Sequence, residues 1–140
     1  MKYYAVIDTN VLVSAMLKWD SLPGNVMELV FTGSIVPVVS EEIVREYREV
    51  LARPKFHFTD RIICEVLENI ERQAVYINVT SLVPCEELPD PKDQVFYEVV
   101  AEERKTEDAY LVTGNIKHFP KRTFIVTSRE MLNIILSNAA

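Results

Sequence analysis

The chain reads as a single α/β domain: a three-layer α/β/α sandwich around a mostly parallel central sheet. Three observations predict it. Short apolar runs alternate with amphipathic stretches along all 140 residues. The first run, Tyr3-Tyr4-Ala5-Val6-Ile7, is continuous rather than alternating, as a strand buried on both faces must be. No repeat, low-complexity segment or linker interrupts the alternation, so residues 1–140 form one domain.

Lys2–Ile7 is the first predicted strand, and Asp8 stops it. Thr9 or Asn10 can cap the helix that follows through Val11, Leu12, Val13, Ala15, Met16 and Leu17. Leu22-Pro23-Gly24-Asn25 breaks that pattern, and a second helix runs from Val26 to Phe31, with Gly33 just beyond its end. Ile35–Val39 is the second strand, weakened by Pro37. Ser40 caps a helix whose apolar stripe is Ile43, Val44, Tyr47, Val50 and Leu51, ended by Arg53-Pro54. A further helix opens at Thr59 or Asp60 and buries Ile62, Ile63, Val66, Leu67, Ile70 and Ala74, with Cys64 on the same side.

Val75–Val79 is a short strand candidate and Val83–Leu88 reads as irregular. Asp90-Pro91-Lys92-Asp93 is a helix start: a cap, a proline at the first position and an acid in the first turn. Val95, Phe96, Val99 and Val100 form its stripe, and Glu102–Asp108 reads as a solvated charged loop. Ala109–Thr113 and Phe124–Val126 are the last strands. Thr127-Ser128-Arg129-Glu130 is a capping box opening the final helix.

Composition removes several classes of function. Hydrophobic residues make up 49% and charged residues 26% of the chain, enough for a real core. No apolar run approaches the roughly 20 residues of a membrane helix, and the N-terminus lacks a signal-peptide pattern, so cytoplasm is expected and a membrane role is not. Cys64 and Cys85 lie far apart with no Cys/His company, which argues against a disulfide framework or structural zinc. A net charge of −6 argues against nucleic-acid binding through bulk positive charge. It leaves room for an acidic site that meets phosphates through a few local cations such as Arg45, Arg48, Arg53, Lys55, Lys117, His118, Lys121 and Arg122.

Polar residues gather at predicted strand ends and helix starts: Asp8; Glu42 and Glu46; Asp90 and Asp93; Thr113 and Asn115. In a parallel sheet these carboxyl ends share one edge, where open α/β sheets bind ligands. Carboxylates brought together there repel one another until a hard cation relieves them, and oxygen ligands suit Mg²⁺ or Mn²⁺. Such a site suits phosphodiester hydrolysis. Each acid also has a plainer reading. Asp8 is a turn or cap residue, Asp90 a helix cap, Asp93 a helix-dipole acid, and Glu42 and Glu49 solvated. Glu46, beside the apolar stripe, is the better candidate of its helix.

Assembled in order, these motifs resemble the PIN domain, in the branch associated with toxins of toxin–antitoxin systems. The resemblance rests on Val6-Ile7-Asp8-Thr9-Asn10-Val11-Leu12-Val13-Ser14-Ala15, on Ser40–Leu51 followed by Arg53-Pro54-Lys55, on Asp90-Pro91-Lys92-Asp93, and on Tyr110-Leu111-Val112-Thr113-Gly114-Asn115 with His118-Phe119-Pro120. It implies a Rossmann-like sandwich and a Mg²⁺- or Mn²⁺-dependent endoribonuclease, held in check by a small antitoxin and often a homodimer. It places Asp8, Glu46, Asp93 and Asn115 in the catalytic site, with Asp8 and Asp93 on the metal and the hydroxyls of Thr9 and Thr113 orienting the ligands. Many PIN domains carry aspartate where this chain has Asn115, a neutral and weaker ligand. The rival expectation is therefore a degenerate PIN domain that binds RNA or protein without cutting. A receiver or dehalogenase-type phosphotransfer domain also begins with a strand ending in Asp. Asn10 replaces the second acid a dehalogenase needs, and Thr113-Gly114-Asn115 lacks the lysine of a receiver.

Overall fold

The computed structural model describes residues 2–78, 88 and 90–138. Strands β1 (Tyr3–Ile7), β2 (Ile35–Val39), β3 (Val75–Tyr76), β4 (Ala109–Val112) and β5 (Ile125–Val126) form one sheet in the order β3-β2-β1-β4-β5. All four pairings are parallel, so the sheet is wholly rather than mostly parallel. Among the described residues the α-helices are α1 (Thr9–Leu17), α2 (Leu22–Thr32), α3 (Glu41–Leu51), α4 (Asp60–Gln73), α5 (Pro91–Glu103) and α6 (Ser128–Ser137). From β1 the chain first steps outward through β2 to β3, then returns to the other side of β1 for β4 and β5. Right-handed crossovers in opposite directions put helices on both faces, which is the three-layer sandwich. The α5 helix packs over β1, β2 and β4, while α2 packs on β2 and meets α1, α4 and α6.

The core follows from the strand sequences. Ala5, Val6, Ile35, Val38, Val39, Leu111 and Val112 are fully buried, as residues of a sheet covered on both faces must be. Pro37 is tolerated because β3 reaches β2 only at Val38 and Val39, so at Pro37 that flank of β2 carries no ladder. The capping box at Thr127 and Glu130 forms both of its reciprocal bonds. Asp90 caps α5 by accepting from the Lys92 N–H at 2.9 Å.

Several sequence expectations need correction. Leu22-Pro23-Gly24-Asn25 is not the break before the second helix; it is the first turn of α2, capped by the Ser21 hydroxyl and with proline at its second position. Gly24 belongs there because a Cβ would lie 1.8 Å from the Trp19 carbonyl oxygen. Asp8, rather than Thr9 or Asn10, holds the cap position of α1, and its side chain makes no cap bond. The charged stretch from Glu102 does not begin a loop, since α5 continues to Glu103. Glu103 is buried because it falls on the same helix face as Val99 and Val100. Cys64 is exposed, one step off the Ile63, Leu67 and Ile70 stripe, and Ile62 is exposed on the outer side of α4. Val79, the expected stretch 83–87 and Cys85 lie outside the described residues. No helix among the described residues is long and apolar enough to cross a membrane.

The Gly24 contact has a measurable consequence. Gly24→Ala drives a methyl into the Trp19 backbone and should cost about 2–4 kcal/mol of stability, a steric penalty well beyond ordinary surface substitutions. Urea unfolding checks it, as a lower midpoint with an unchanged slope.

Candidate metal centre

The sheet order places its switch point between β1 and β4, the place where the crevice of an open α/β sheet lies. Asp8 ends β1 there and Thr113 follows β4, with the Asp8 N–H bound to the Val112 carbonyl at 2.9 Å. A cleft of about 470 Å³ opens above this edge. Asp8, Glu46, Asp93 and Asn115 all line it, so the four acid and amide positions read from the sequence come together. Glu42 lies outside it, in a neighbouring groove between α3 and α5.

Asp8 is held by groups from two elements. It is buried, and its Oδ2 accepts from the Thr113 hydroxyl at 2.7 Å and from the Asn10 amide at 3.3 Å. The same Thr113 oxygen accepts the Asn115 N–H at 3.0 Å, and Asn10 Oδ1 accepts the Gly114 N–H at 3.0 Å. Asp8 is thus laced to the turn after β4 by two routes. Both side-chain donors converge on Oδ2, which leaves Oδ1 with no side-chain donor among the described residues.

Glu46 comes from the middle of α3 and is gripped by the Thr9 hydroxyl, which donates to its Oε2. One residue on, the buried Tyr47 hydroxyl donates to the carbonyl of Ile7, so α3 is fixed to the end of β1 on which Asp8 sits. Burial and the charges of Asp8 and Glu46 push the Tyr47 phenol well above its usual range, keeping it a neutral donor. Thr9 and Thr113 were legible as orienting hydroxyls. Asn10 and Tyr47 were not, because one reads as a cap candidate and the other as part of an apolar stripe.

Asp93 lies in the first turn of α5, and its Oδ2 is buried without a hydrogen-bond partner among the described residues. His118, exposed at the cleft rim, stands 3.9 Å from that oxygen. Asn115 is exposed, and its side chain makes no hydrogen bond among the described residues. Arg53 and Lys92 add cations to the walls; Lys92 was not singled out in the sequence because it reads as part of a helix start.

Burial and neighbouring negative charge raise two of these acids, Asp8 and Asp93. Asp8 is raised from 3.8 to about 6, first by desolvation, then by the negative charges of Asp93 and Glu46; the Thr113 hydroxyl and the Thr9 backbone N–H oppose this. Asp93 is raised as well, chiefly by burial and then by Asp90, while His118 acts in the other direction. No three His, Cys, Asp or Glu side chains among the described residues already form a closed ligand cage. Mg²⁺ does not require one, since it keeps several waters and is commonly held by one or two carboxylates. The donor set fits such an ion: the buried Oδ2 of Asp93, which has no hydrogen-bond donor among the described residues, the Oδ1 of Asp8, which has no side-chain donor among them, and repulsion that a cation would relieve.

The raised Asp8 makes a prediction about stability with metal removed by chelator. A carboxyl whose folded value lies above its unfolded value binds its proton more tightly in the fold, so stability falls as pH rises from about 4 through 6. Near pH 7 the ionised form costs about 3 kcal/mol, because each tenfold gain in proton affinity is worth about 1.36 kcal/mol. Asp8→Asn should therefore be more stable than wild type by about 2–3 kcal/mol at pH 7, with the gain vanishing below about pH 4. Urea midpoints at the two pH values measure it.

The chain matches the PIN-domain family over residues 4–117. It is 29% identical over 119 residues to the uncharacterised protein MJ1680 of Methanocaldococcus jannaschii, covering 82% of this chain and 72% of that one. No solved structure gives a significant match. PIN domains are generally nucleases and typically use divalent metal ions. The match spans β1 to the turn after β4, and so takes in Asp8, Glu46, Asp93 and Asn115. By sequence match and by architecture, the chain belongs to the PIN-domain family.

Proposed function

We propose that this PIN domain is a Mg²⁺- or Mn²⁺-dependent endoribonuclease and the toxin of a toxin–antitoxin pair. The observation that carries the catalytic part is the buried Oδ2 of Asp93, without a hydrogen-bond donor among the described residues, in the same cleft as the crowded carboxylates of Asp8 and Glu46. A buried carboxylate oxygen with no donor is costly unless a cation or water completes it. Asp8 and Asp93 would hold the ion, which when bound supplies Lewis acidity toward the phosphate and an acidified water.

The chain's own groups do the rest. The Thr113 and Asn10 bonds hold Asp8 in one orientation, and the Thr9 hydroxyl fixes Glu46 where it can accept a proton at Oε1 or hold a water. Arg53, Lys92 and His118 stand on the cleft walls, where a phosphate backbone would meet point charges despite the acidic balance of the whole chain. The toxin role, the small antitoxin and the RNA preference rest on the motif resemblance, and a homodimer would be consistent with it.

Asn115 supports a second reading, a PIN domain that binds without cutting. It places a neutral amide at the rim where another carboxylate would strengthen the hold on a cation. The two readings separate in one assay with labelled RNA and Mn²⁺. Wild type should cleave, and Asp8→Ala and Asp93→Ala should each lower the rate at least about a hundredfold, the scale of removing a metal ligand or its support. Asn115→Asp should tighten Mn²⁺ binding by titration. Cleavage that survives both alanine substitutions excludes this site, and no cleavage of any RNA with the ion bound favours the binding-only reading. Growth arrest on expression, relieved by a co-expressed small partner, tests the toxin role.

A further inference from the structure

The cleft has a wall that the carboxylates do not explain. The segment from Arg53 to Phe58 leaves α3 through a single 3-10 turn, Pro54–Phe56, and both Arg53 and Phe56 face the same cleft as Asp8 and Asp93. Two phenyl rings line that cleft. Phe96 belongs to the core at 2% exposure, whereas Phe56 is only half-buried. Phe58 backs Phe56, with ring centroids 5.9 Å apart and planes 22° off parallel. The Lys55 ammonium rests 5.1 Å from the Phe56 centroid, so the ring already receives a cation on its π system. His57, next in the chain, adopts a left-handed backbone with φ of 59°, an uncommon conformation for a residue with a side chain. It turns the chain between the two phenylalanines. Arg53, Lys55 and Lys92 make no ion pair among the described residues.

A flat apolar ring beside unpaired cations, opposite an acidic floor, matches a ligand that is at once aromatic and anionic. A nucleotide is such a ligand: its base has a π face for Phe56, and its phosphate has a partner in Arg53. We propose that Phe56 is the stacking platform for one unpaired nucleobase of the substrate, with Arg53 and Lys55 binding the phosphate beside it. The inference rests on the nuclease reading of the cleft and names how that cleft selects its substrate. Lys55 is exposed on a flexible stem, so a base arriving over the ring displaces its ammonium toward the phosphate. Phe58 keeps the platform from tilting as the base stacks.

The test uses two fluorescein-labelled hexamers, one of oligouridylate and one of the same backbone with every base removed. Binding to the full chain is followed by anisotropy in EDTA at low ionic strength. Wild type should prefer the base-bearing hexamer. Phe56→Ala and the bulkier Phe56→Leu should each weaken that hexamer about tenfold, the scale of one lost stacking contact, and leave the abasic one unchanged. Phe56→Trp should retain or tighten binding. Phe56→Leu keeps the apolar volume, so it carries the test if Phe56→Ala fails to fold by circular dichroism. Equal loss on both hexamers, no loss on either, or no wild-type preference for the base-bearing strand overturns the proposal. Metal-dependent cleavage of RNA that is indifferent to Phe56→Leu overturns the platform alone. Base-dependent binding at Phe56 without cleavage overturns the nuclease reading and leaves the platform standing.

Discussion

A carboxylate removed from water at the end of β1 sets the terms for the rest of the molecule. Asp8 is buried and crowded by two other acids, and its ionisation is resisted in the fold. Its surroundings are arranged to hold it in place nonetheless. The Thr113 hydroxyl reaches it from beyond β4 and the Asn10 amide from α1, while Tyr47 pins α3 to the adjacent carbonyl. The strand beneath is as well packed as any part of the chain, with Ala5 and Val6 fully buried. A core of that kind can offset a local electrostatic penalty of a few kcal/mol, whereas a marginal edge element could not.

The topology explains why the cleft forms there. Because β4 returns to the opposite side of β1 from β2, the loops after β1 and β4 diverge and leave a crevice between them. The first turns of α1 and α5 and the middle of α3 then close it from the sides. Residues separated by as many as 105 positions, as Asp8 and Thr113 are, become direct partners. The negative net charge and a phosphate-binding cleft are compatible on this geometry, since Arg53 and Lys92 act over a few ångströms while distant acids are screened.

The strand that ends in Asp8 was legible because the apolar run is long, uninterrupted and stopped by one acid. Asp93 and Asn115 were legible because one opens a helix and the other follows a strand, and a parallel sheet brings those ends together; Glu46, in the middle of α3, was legible from its place beside the apolar stripe. Other features left no local trace. Tyr47 fits the periodicity of α3 as a core residue, and periodicity says nothing about where its hydroxyl points. Gly24 looks like a breaker until the Trp19 carbonyl is seen against it. Glu103 and Cys64 exchanged expected environments because a shift of one residue turns a helical side chain by about a quarter of the circumference. The pairing of Asn10 with Gly114 depends on the first turn of α1 meeting the turn after β4, and no window of sequence contains both.

The two outermost strands are each only two residues long. An open sheet ordinarily presents unpaired backbone groups along its margins, an invitation to further strands from other molecules. Among the described residues the outer strands themselves offer only two residues of margin on either side. Addition of a foreign strand would gain about two or three hydrogen bonds at most, too few to fix a register. Among the described residues, helix surfaces and side chains therefore offer an associating partner more than the outer strands do.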